Sequence, residues 1–357
     1  MELTRRTYTE INLTNITENV KKIIKKYNNY KYYFGVVKAD SYGHDGLETV
    51  KAIIDGGCNY LAVATLEEGL IIRKEIKDIP ILCLGVVPCK YIDLCIKNEI
   101  TVSITSLDYI KELAQTDCIN LKTHIKLNTG MNRLGISNTK ELEEVNKIIS
   151  EKNIYVEGIY THIYNANNEK DYNKQIEKFK KMIEKINTSK IKIIHISASE
   201  AIVNYKKPEF VNGCRLGIIM YGFTSNKELN LKSTFSLYSE VIQINNLNKG
   251  ETVGYNGFYK AEKDNEKIAV VPIGYADGII RKNTGRTVFI NNKEYKIVGN
   301  ICMDMLFVKV DDTVNIHDKV TILKDIEHIE KVAEHLETIP YEVMCSVGKR
   351  VPREYIK

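Results

Sequence analysis

The sequence predicts an α/β chain in two parts: an N-terminal (β/α)8 TIM barrel over residues 1–230 and a C-terminal β-rich domain over 231–357. Three observations carry this reading. Eight short β-branched runs alternate with amphipathic stretches through the first two thirds. Eight strand-plus-helix units in about 220 residues match the length such a barrel needs. After about Leu231 the apolar pattern turns to strict alternation broken by Gly, Asn and Asp. A doubly wound sheet is the competing arrangement for the first part.

The runs, in order, are YYFGVV (Tyr32 to Val37), YLAVAT (Tyr60 to Thr65), IPILCLG (Ile79 to Gly85), TVSIT (Thr101 to Thr105), THIKL (Thr123 to Leu127), YVEGIYTHI (Tyr155 to Ile163), IKIIHIS (Ile191 to Ser197) and a stretch around Cys214 to Met220. Between them fall helical stripes. Ile16, Val20, Ile23, Ile24 and Tyr27 share a face behind a Thr14/Asn15 start; Leu142, Val145, Ile148 and Ile149 follow Ser137; Ile176, Phe179, Ile183 and Ile186 form a third. Beyond Leu231, LYSEVIQINNL, KIAVVPIGYADG, TVFINNKEYKIVGNICMDMLFVKV and KVTIL read as strands, with one helical stripe from Ile329 to Leu336. The first ten or so residues are a candidate strand of this second domain.

Composition bounds the function. With 43% apolar and 27% charged residues, the 357-residue chain is neither disordered nor fibrous. Its longest apolar stretch, Ile79 to Val87, covers about half a membrane span, and the opening MELTRRTYTEINL lacks a secretory apolar core. A cytoplasmic protein is expected. The eight cysteines show neither C-x-x-C nor zinc spacing, so no metal site is expected. A net charge of +5, mostly lysine alternating with apolar positions, reads as solvated helix faces rather than a nucleic-acid track.

A barrel enzyme gathers its reactive groups where strands end. Lys38 ends the first strand in FGVVKADSYGHDG; burial there favours the neutral amine that attacks carbonyls, the alternative being a lysine that snorkels to solvent. The seventh and eighth strands end at Ser199 and at Arg215-Leu216-Gly217-Ile218, where a hydroxyl and backbone N–H groups can receive phosphate; a tight turn without ligand is the alternative. An amine and a phosphate cradle across one barrel mouth point to a phosphorylated aldehyde, namely pyridoxal 5'-phosphate.

The segments VVKADSYGHDG, HIKLNTGMNRLG, VEGIYTHI, VNGCRLGIIMYG, GETVGYNGFY, PIGYADG, NICMDM and YEVMCSVGKRVPREY, in this order, closely resemble the alanine racemase family, from about residue 8 to the C-terminus. The resemblance implies a cytoplasmic homodimeric isomerase that interconverts L- and D-alanine for peptidoglycan. It implies that Lys38 holds the cofactor covalently and is one catalytic base, and that Tyr255, lent to the other subunit, is the second. Tyr42 and Tyr341 would reach the phosphate with Ser199, Gly217 and Ile218. His162 would lie against the pyridine ring, and Arg215, oriented by His195, would donate to its nitrogen. Arg133, Met303 and Asp304 would hold the substrate carboxylate, and Tyr275 with Arg281 would line the entry. Lys126 matches a lysine that is carbamylated in many relatives. Lys349, Arg350 and Arg353 form either an anion patch or a solvated terminal segment.

Several positions depart from the common pattern: Asn128, Asn132, Asn167, Ala198, Glu200, Asn300 and Pro340. They cluster around the entrance and behind the substrate contacts. The resemblance therefore leaves a serine or broad-specificity amino-acid racemase of the same fold as the alternative function. A non-catalytic cofactor carrier fits less well, because it would lack the second domain. A basic-amino-acid decarboxylase would need a cysteine and aspartate arrangement that Cys302 and Cys345 do not provide.

Overall fold

A computed structural model describes residues 5–357. Of the range 1–230 assigned to the first domain, residues 1–4 lie outside the described residues.

Eight parallel strands close into a barrel: Tyr32–Val36, Tyr60–Val63, Ile81–Cys83, Ile100–Ile104, Lys122–Lys126, Tyr155–Tyr160, Ile193–Ala198 and Gly213–Leu216. Closure comes from the last strand pairing with the first, Tyr32 opposite Gly213 through Gly35 opposite Leu216. Each strand falls within or beside one of the eight β-branched runs. They were legible because a strand buried on both faces reads as an unbroken apolar run. Outside the barrel, Leu13–Lys26 starts on Asn12, whose side chain accepts from Asn15 N–H, two residues before the expected start. Thr139–Glu151 and Glu169–Ile183 likewise start on asparagines, Asn138 and Asn168. Asparagine is a strong N-cap because its side-chain oxygen takes an otherwise unpaired N–H.

The second part is a nine-stranded sheet. In spatial order it runs Gln243–Leu247, Glu266–Val271, Leu306–Val310, Lys293–Val298, Thr287–Ile290, Lys319–Leu323, Phe235–Glu240, Tyr8–Asn12 and Arg353–Ile356. The strand Tyr8–Asn12 thus sits outside the barrel, antiparallel to Phe235–Glu240 and parallel to Arg353–Ile356. The alternating burial of Phe235–Glu240 and Leu306–Val310 shows one face on the core and one nearer solvent. Among the described residues, no helix is long and apolar enough to cross a membrane.

Two features position the barrel mouth, and neither was legible in the sequence. The first is a left-handed turn directly after Lys38: Ala39, Asp40, Ser41 and Tyr42 all have φ between 50° and 59°. Left-handed backbone costs an L-residue about 1 kcal/mol or more, so tertiary contacts must hold it. Ala39 N–H donates to Glu68 Oε1 (2.7 Å), and Gly43 O accepts from both Arg353 Nε and Nη2 (3.2 Å each). The second is the short helix Pro340–Cys345, which packs against that turn and brings Tyr341 to Tyr42, ring centroids 5.8 Å apart. Arg353 consequently belongs to neither an anion patch nor a solvated tail. It donates to the carbonyls of Gly43, Val347, Gly348 and Val351. Arg350 and Lys349 do pair with carboxylates, those of Asp304 and Asp40.

Candidate active site

The barrel strands end at a cavity of about 1030 Å³ lined by Lys38, Tyr42, Lys126, Arg133, His162, Ser199, Arg215, Gly217, Ile218 and Tyr341 among others. Ten of the sequence-selected residues therefore share one concavity, although they come from the ends of five barrel strands and the helix Pro340–Cys345.

Cations dominate it. Burial, with Arg133 nearby, lowers the Lys38 amine from its ordinary range, while Glu68 and the Cys345 thiol oppose that shift. Lys126, deeper in the barrel, falls to about 8 through burial first, then through Arg133, Arg215 and Lys38. Its Nζ stands 5.5 Å from the Tyr160 ring centroid. Burial and the surrounding cations push the His162 imidazole down to about 3, so it is neutral. Such a cavity attracts anions, and its burial makes both amines easier to deprotonate than free lysines.

Arg215 is the most committed of these groups. Nη1 donates to His195 Nδ1 (3.0 Å) and His195 O (3.2 Å). Nη2 donates to Thr161 O (2.8 Å), Ile196 O (3.0 Å) and His162 Nδ1 (3.1 Å). Nε is left as the donor without a partner among the described residues. Desolvation draws the guanidinium down to about 10, which still leaves it charged at neutral pH.

Across the mouth, Ser199 Oγ accepts from the N–H groups of Gly217 (3.3 Å) and Ile219 (3.4 Å). A Cβ at Gly217 would come within 2.9 Å of Tyr42 Oη and 3.4 Å of Ser199 Oγ, so glycine keeps this corner open. The residues present fit pyridoxal phosphate. An open corner lined by two hydroxyls and backbone N–H groups suits a phosphate, an unused guanidinium donor suits a ring nitrogen, and a desolvated amine suits an aldehyde.

Arg133 is carried on a loop that Asn128 shapes. The Asn128 oxygen accepts from Gly130 N–H (3.2 Å) and Asn132 N–H (2.9 Å), and its amide donates to Asn132 Oδ1 and Ser137 Oγ. The departures at 128 and 132 thus close on each other and hold the loop without a charge. Asn300 acts similarly: its amide donates to Tyr255 O (3.0 Å) and braces that turn.

Not every selected residue reaches the cavity. His195 is fully buried beneath Arg215. Tyr255, Tyr275, Met303 and Asp304 lie outside the lining, on the second domain. Tyr255 is 70% exposed on a turn where Gly254, Asn256 and Gly257 all have positive φ. Tyr275 and Ala276 N–H groups donate to the carbonyls of Cys302 and Met303, so GYADG and CMDM form one joined edge. Asp304 is engaged by Arg350 Nη2 at 2.8 Å.

Sequence reasoning missed two contributors. Glu68 joins the turns after the first two strands, accepting from Ala39 and Ala64 N–H groups; the capping pattern Thr65-x-x-Glu68 was the available signal. Gln175 donates to His162 O (3.1 Å) and Thr129 Oγ1 (2.8 Å), and nothing in its helical stripe set it apart.

Comparison with known proteins gives a consistent result. The family model "Alanine racemase, N-terminal domain" matches residues 11–225, and "Alanine racemase, C-terminal domain" matches 234–355. The chain is 36% identical to alanine racemase 1 of Bacillus subtilis (strain 168), covering 99% of this chain and 94% of that protein. It is also 36% identical to an alanine racemase of Clostridium novyi, covering 99% and 96%. Among solved structures, alanine racemase from Bacillus anthracis, with bound L-Ala-P, superposes with a TM-score of 0.92 at 31% identity, covering 100% of this chain and 96% of that one. The Enterococcus faecalis enzyme gives 0.91 at 32% identity, with complete coverage of both.

Proposed function

This chain belongs to the alanine racemase family of isomerases, and from that premise we propose a two-base racemisation of alanine in which Lys38 and Tyr255 from a second copy of the chain stand on opposite faces of Cα. The observation that carries the reading is the pairing of a desolvated amine at Lys38 with an unused Arg215 donor and an open phosphate corner in one cavity.

The chemistry supplied by pyridoxal phosphate when bound is electron withdrawal from Cα of an amino acid joined to its aldehyde. Every other part of the task falls to the protein. Ser199, Tyr42, Tyr341 and the N–H groups around Gly217 and Ile218 hold the phosphate. Arg215, fixed by five protein acceptors, would have Nε free for the ring nitrogen. Because a guanidinium does not readily release a proton, Arg215 would leave a ring nitrogen it faces unprotonated, limiting the electron withdrawal the cofactor would supply and favouring simple inversion over transamination. Arg133 and the Met303 N–H, with Asp304 beside it, hold the substrate carboxylate. Lys38 moves a proton on one face and Tyr255 on the other. The second domain of each copy supplies Tyr255, Met303 and Tyr275 to its partner's cavity, so the working unit is a homodimer. The product D-alanine would feed peptidoglycan.

Incubating the protein and pyridoxal phosphate with L-alanine in deuterium oxide tests this. Expected are deuterium at Cα and decay of optical rotation without carbon dioxide. Carbon dioxide release, or neither change, would overturn the reading. L-serine turned over at comparable kcat/KM would move it to a broad-specificity racemase.

We also propose that Lys126 is carbamylated. Near pH 8 about half of this amine is neutral, and carbon dioxide can add to its nitrogen with release of a proton. The anion formed would face Arg133, replacing the repulsion of two cations. The protein in ¹³C-bicarbonate should show one protected carbamate carbon that is absent from Lys126→Ala; a spectrum without it rules the modification out.

A further inference from the structure

Barrel interiors are usually filled with branched apolar side chains. Here a polar column runs down the axis from Arg215. His195 Nδ1 accepts from Arg215 Nη1 at 3.0 Å. His195 Nε2 meets His124 Nδ1 at 3.0 Å. His124 Nε2 stands 3.5 Å from Glu157 Oε2, within charge contact but short of a formed hydrogen bond, and has no other partner among the described residues. Glu157 Oε2 also accepts from Tyr60 Oη (2.9 Å), and Oε1 faces Lys192 Nζ (3.4 Å). Tyr60 opens its strand, Glu157 is the third residue of its own, and Lys192 precedes Ile193, so the column ends at the barrel floor.

The rings are built in rather than incidental. His195 is stacked between Phe34 (4.5 Å, 10°) and Tyr160 (4.6 Å, 15°). Opposite His124 the chain carries Gly158, where a Cβ would come within 2.5 Å of the imidazole Cε1. Glycine at 158 makes the room that the ring occupies.

Donor counting fixes every proton in the column. Arginine has donors only, so His195 Nδ1 must be bare. A neutral His195 then carries its proton on Nε2 and donates it to His124 Nδ1, which must also be bare. His124 therefore has its proton on Nε2, toward Glu157. Neither imidazole can be cationic without setting donor against donor. Burial agrees, holding His195 and His124 below their ordinary range. Burial alone would raise the Glu157 carboxyl, but the adjacent His124 imidazole, the bond from Tyr60 and the Lys192 charge hold it at about 2. The column reads cation, neutral, neutral, anion.

We propose that Glu157 is a positioning residue for the racemisation: from the floor of the barrel its carboxylate joins Arg215, at the mouth, in holding the protons of His124 and His195 on Nε2, keeping Arg215 donating downward through Nη1 with Nε left for a ligand. The catalytic consequence rests on the reading of Arg215 as partner of the cofactor's ring nitrogen. Without a carboxylate at 157 the His124 Nε2–H faces no acceptor and Arg215 alone holds the two tautomers, so a fraction of the column can invert and place a proton on His195 Nδ1, against the Arg215 N–H. A wrong tautomer is costly when it sits next to a group that must keep its orientation.

Full-length protein labelled with ¹⁵N-histidine reads the tautomers directly. Both imidazoles in the wild type should be neutral with the proton on Nε2. Glu157→Gln retains an oxygen toward Tyr60 and His124 and should retain both tautomers. Glu157→Leu should populate Nδ1–H at His195. With pyridoxal phosphate bound, it should shift the visible band and lower kcat about tenfold while KM for alanine holds. A wild-type His195 protonated on Nδ1 overturns the proposal and requires no variant to fold. So does Glu157→Leu with unaltered tautomers. Altered tautomers with an unmoved band and kcat would overturn the catalytic consequence instead, by removing Arg215 from the cofactor ring.

Discussion

Lys38→Ala is expected to lower kcat by at least about 10⁴-fold and to leave the protein unable to hold pyridoxal phosphate as a coloured covalent adduct, because one group serves as both anchor and base. The fold should survive. The left-handed turn that follows is held by groups other than the lysine side chain: Glu68 beneath Ala39, and Arg353 on the carbonyl of Gly43. The amine itself stabilises little in the resting protein, since burial and Arg133 both act against its charge. Thermal unfolding of the cofactor-free variant within a few degrees of the wild type, alongside lost colour and lost activity, is the expected combination. Retained activity would show that another group does the chemistry. The sign also sets a pH dependence for the cofactor-free protein. An amine whose folded pKa is lowered destabilises the native state below that pKa, where it must be charged while buried, and the penalty fades as pH rises toward the unfolded value. Lys38→Ala should therefore gain stability relative to wild type at neutral pH and lose that gain in alkali.

How far the site could be read from sequence follows from which physical signals are local. The strands were legible because burial on both faces imposes continuous apolar runs, as in IPILCLG. Lys38, Ser199 and Gly217 could be picked out because strand ends in a barrel face one mouth. The left-handed turn at Ala39–Tyr42 was invisible. None of its four residues is glycine, and the contacts that hold it come from Glu68 and Arg353, the latter more than 300 positions away. Arg353 looked like a charged tail for the same reason, since its backbone acceptors exist only once the barrel and C-terminal strand have met. The His124 to Glu157 column had a faint signal, a histidine at the head of HIKL and a glutamate beside glycine in YVEGIY. Each taken alone reads as a satisfied strand residue, and only closure of the barrel brings polar groups from five strands onto one axis.

Tyr255→Phe should keep the colour of bound pyridoxal phosphate and lower turnover by about 10²- to 10⁴-fold, the usual worth of a positioned proton donor or acceptor. Because L- and D-alanine have equal free energies, kcat/KM must fall equally in both directions. Isotope exchange need not. The enantiomer whose Cα–H faces Lys38 should still take deuterium from solvent, whereas its mirror image should not, and equal loss from both would argue against the phenol as second base. Within one chain Tyr255 lies outside the lining of the Lys38 cavity and is 70% exposed. On the proposed reading, this phenol works in the cavity of another copy. Mixing Lys38→Ala chains with Tyr255→Phe chains, each inactive alone, should then rebuild one intact site in every mixed dimer. Random pairing makes half the dimers mixed, so about a quarter of wild-type activity should return. If each chain completed its own site, every site in the mixture would keep a defect and no activity would appear.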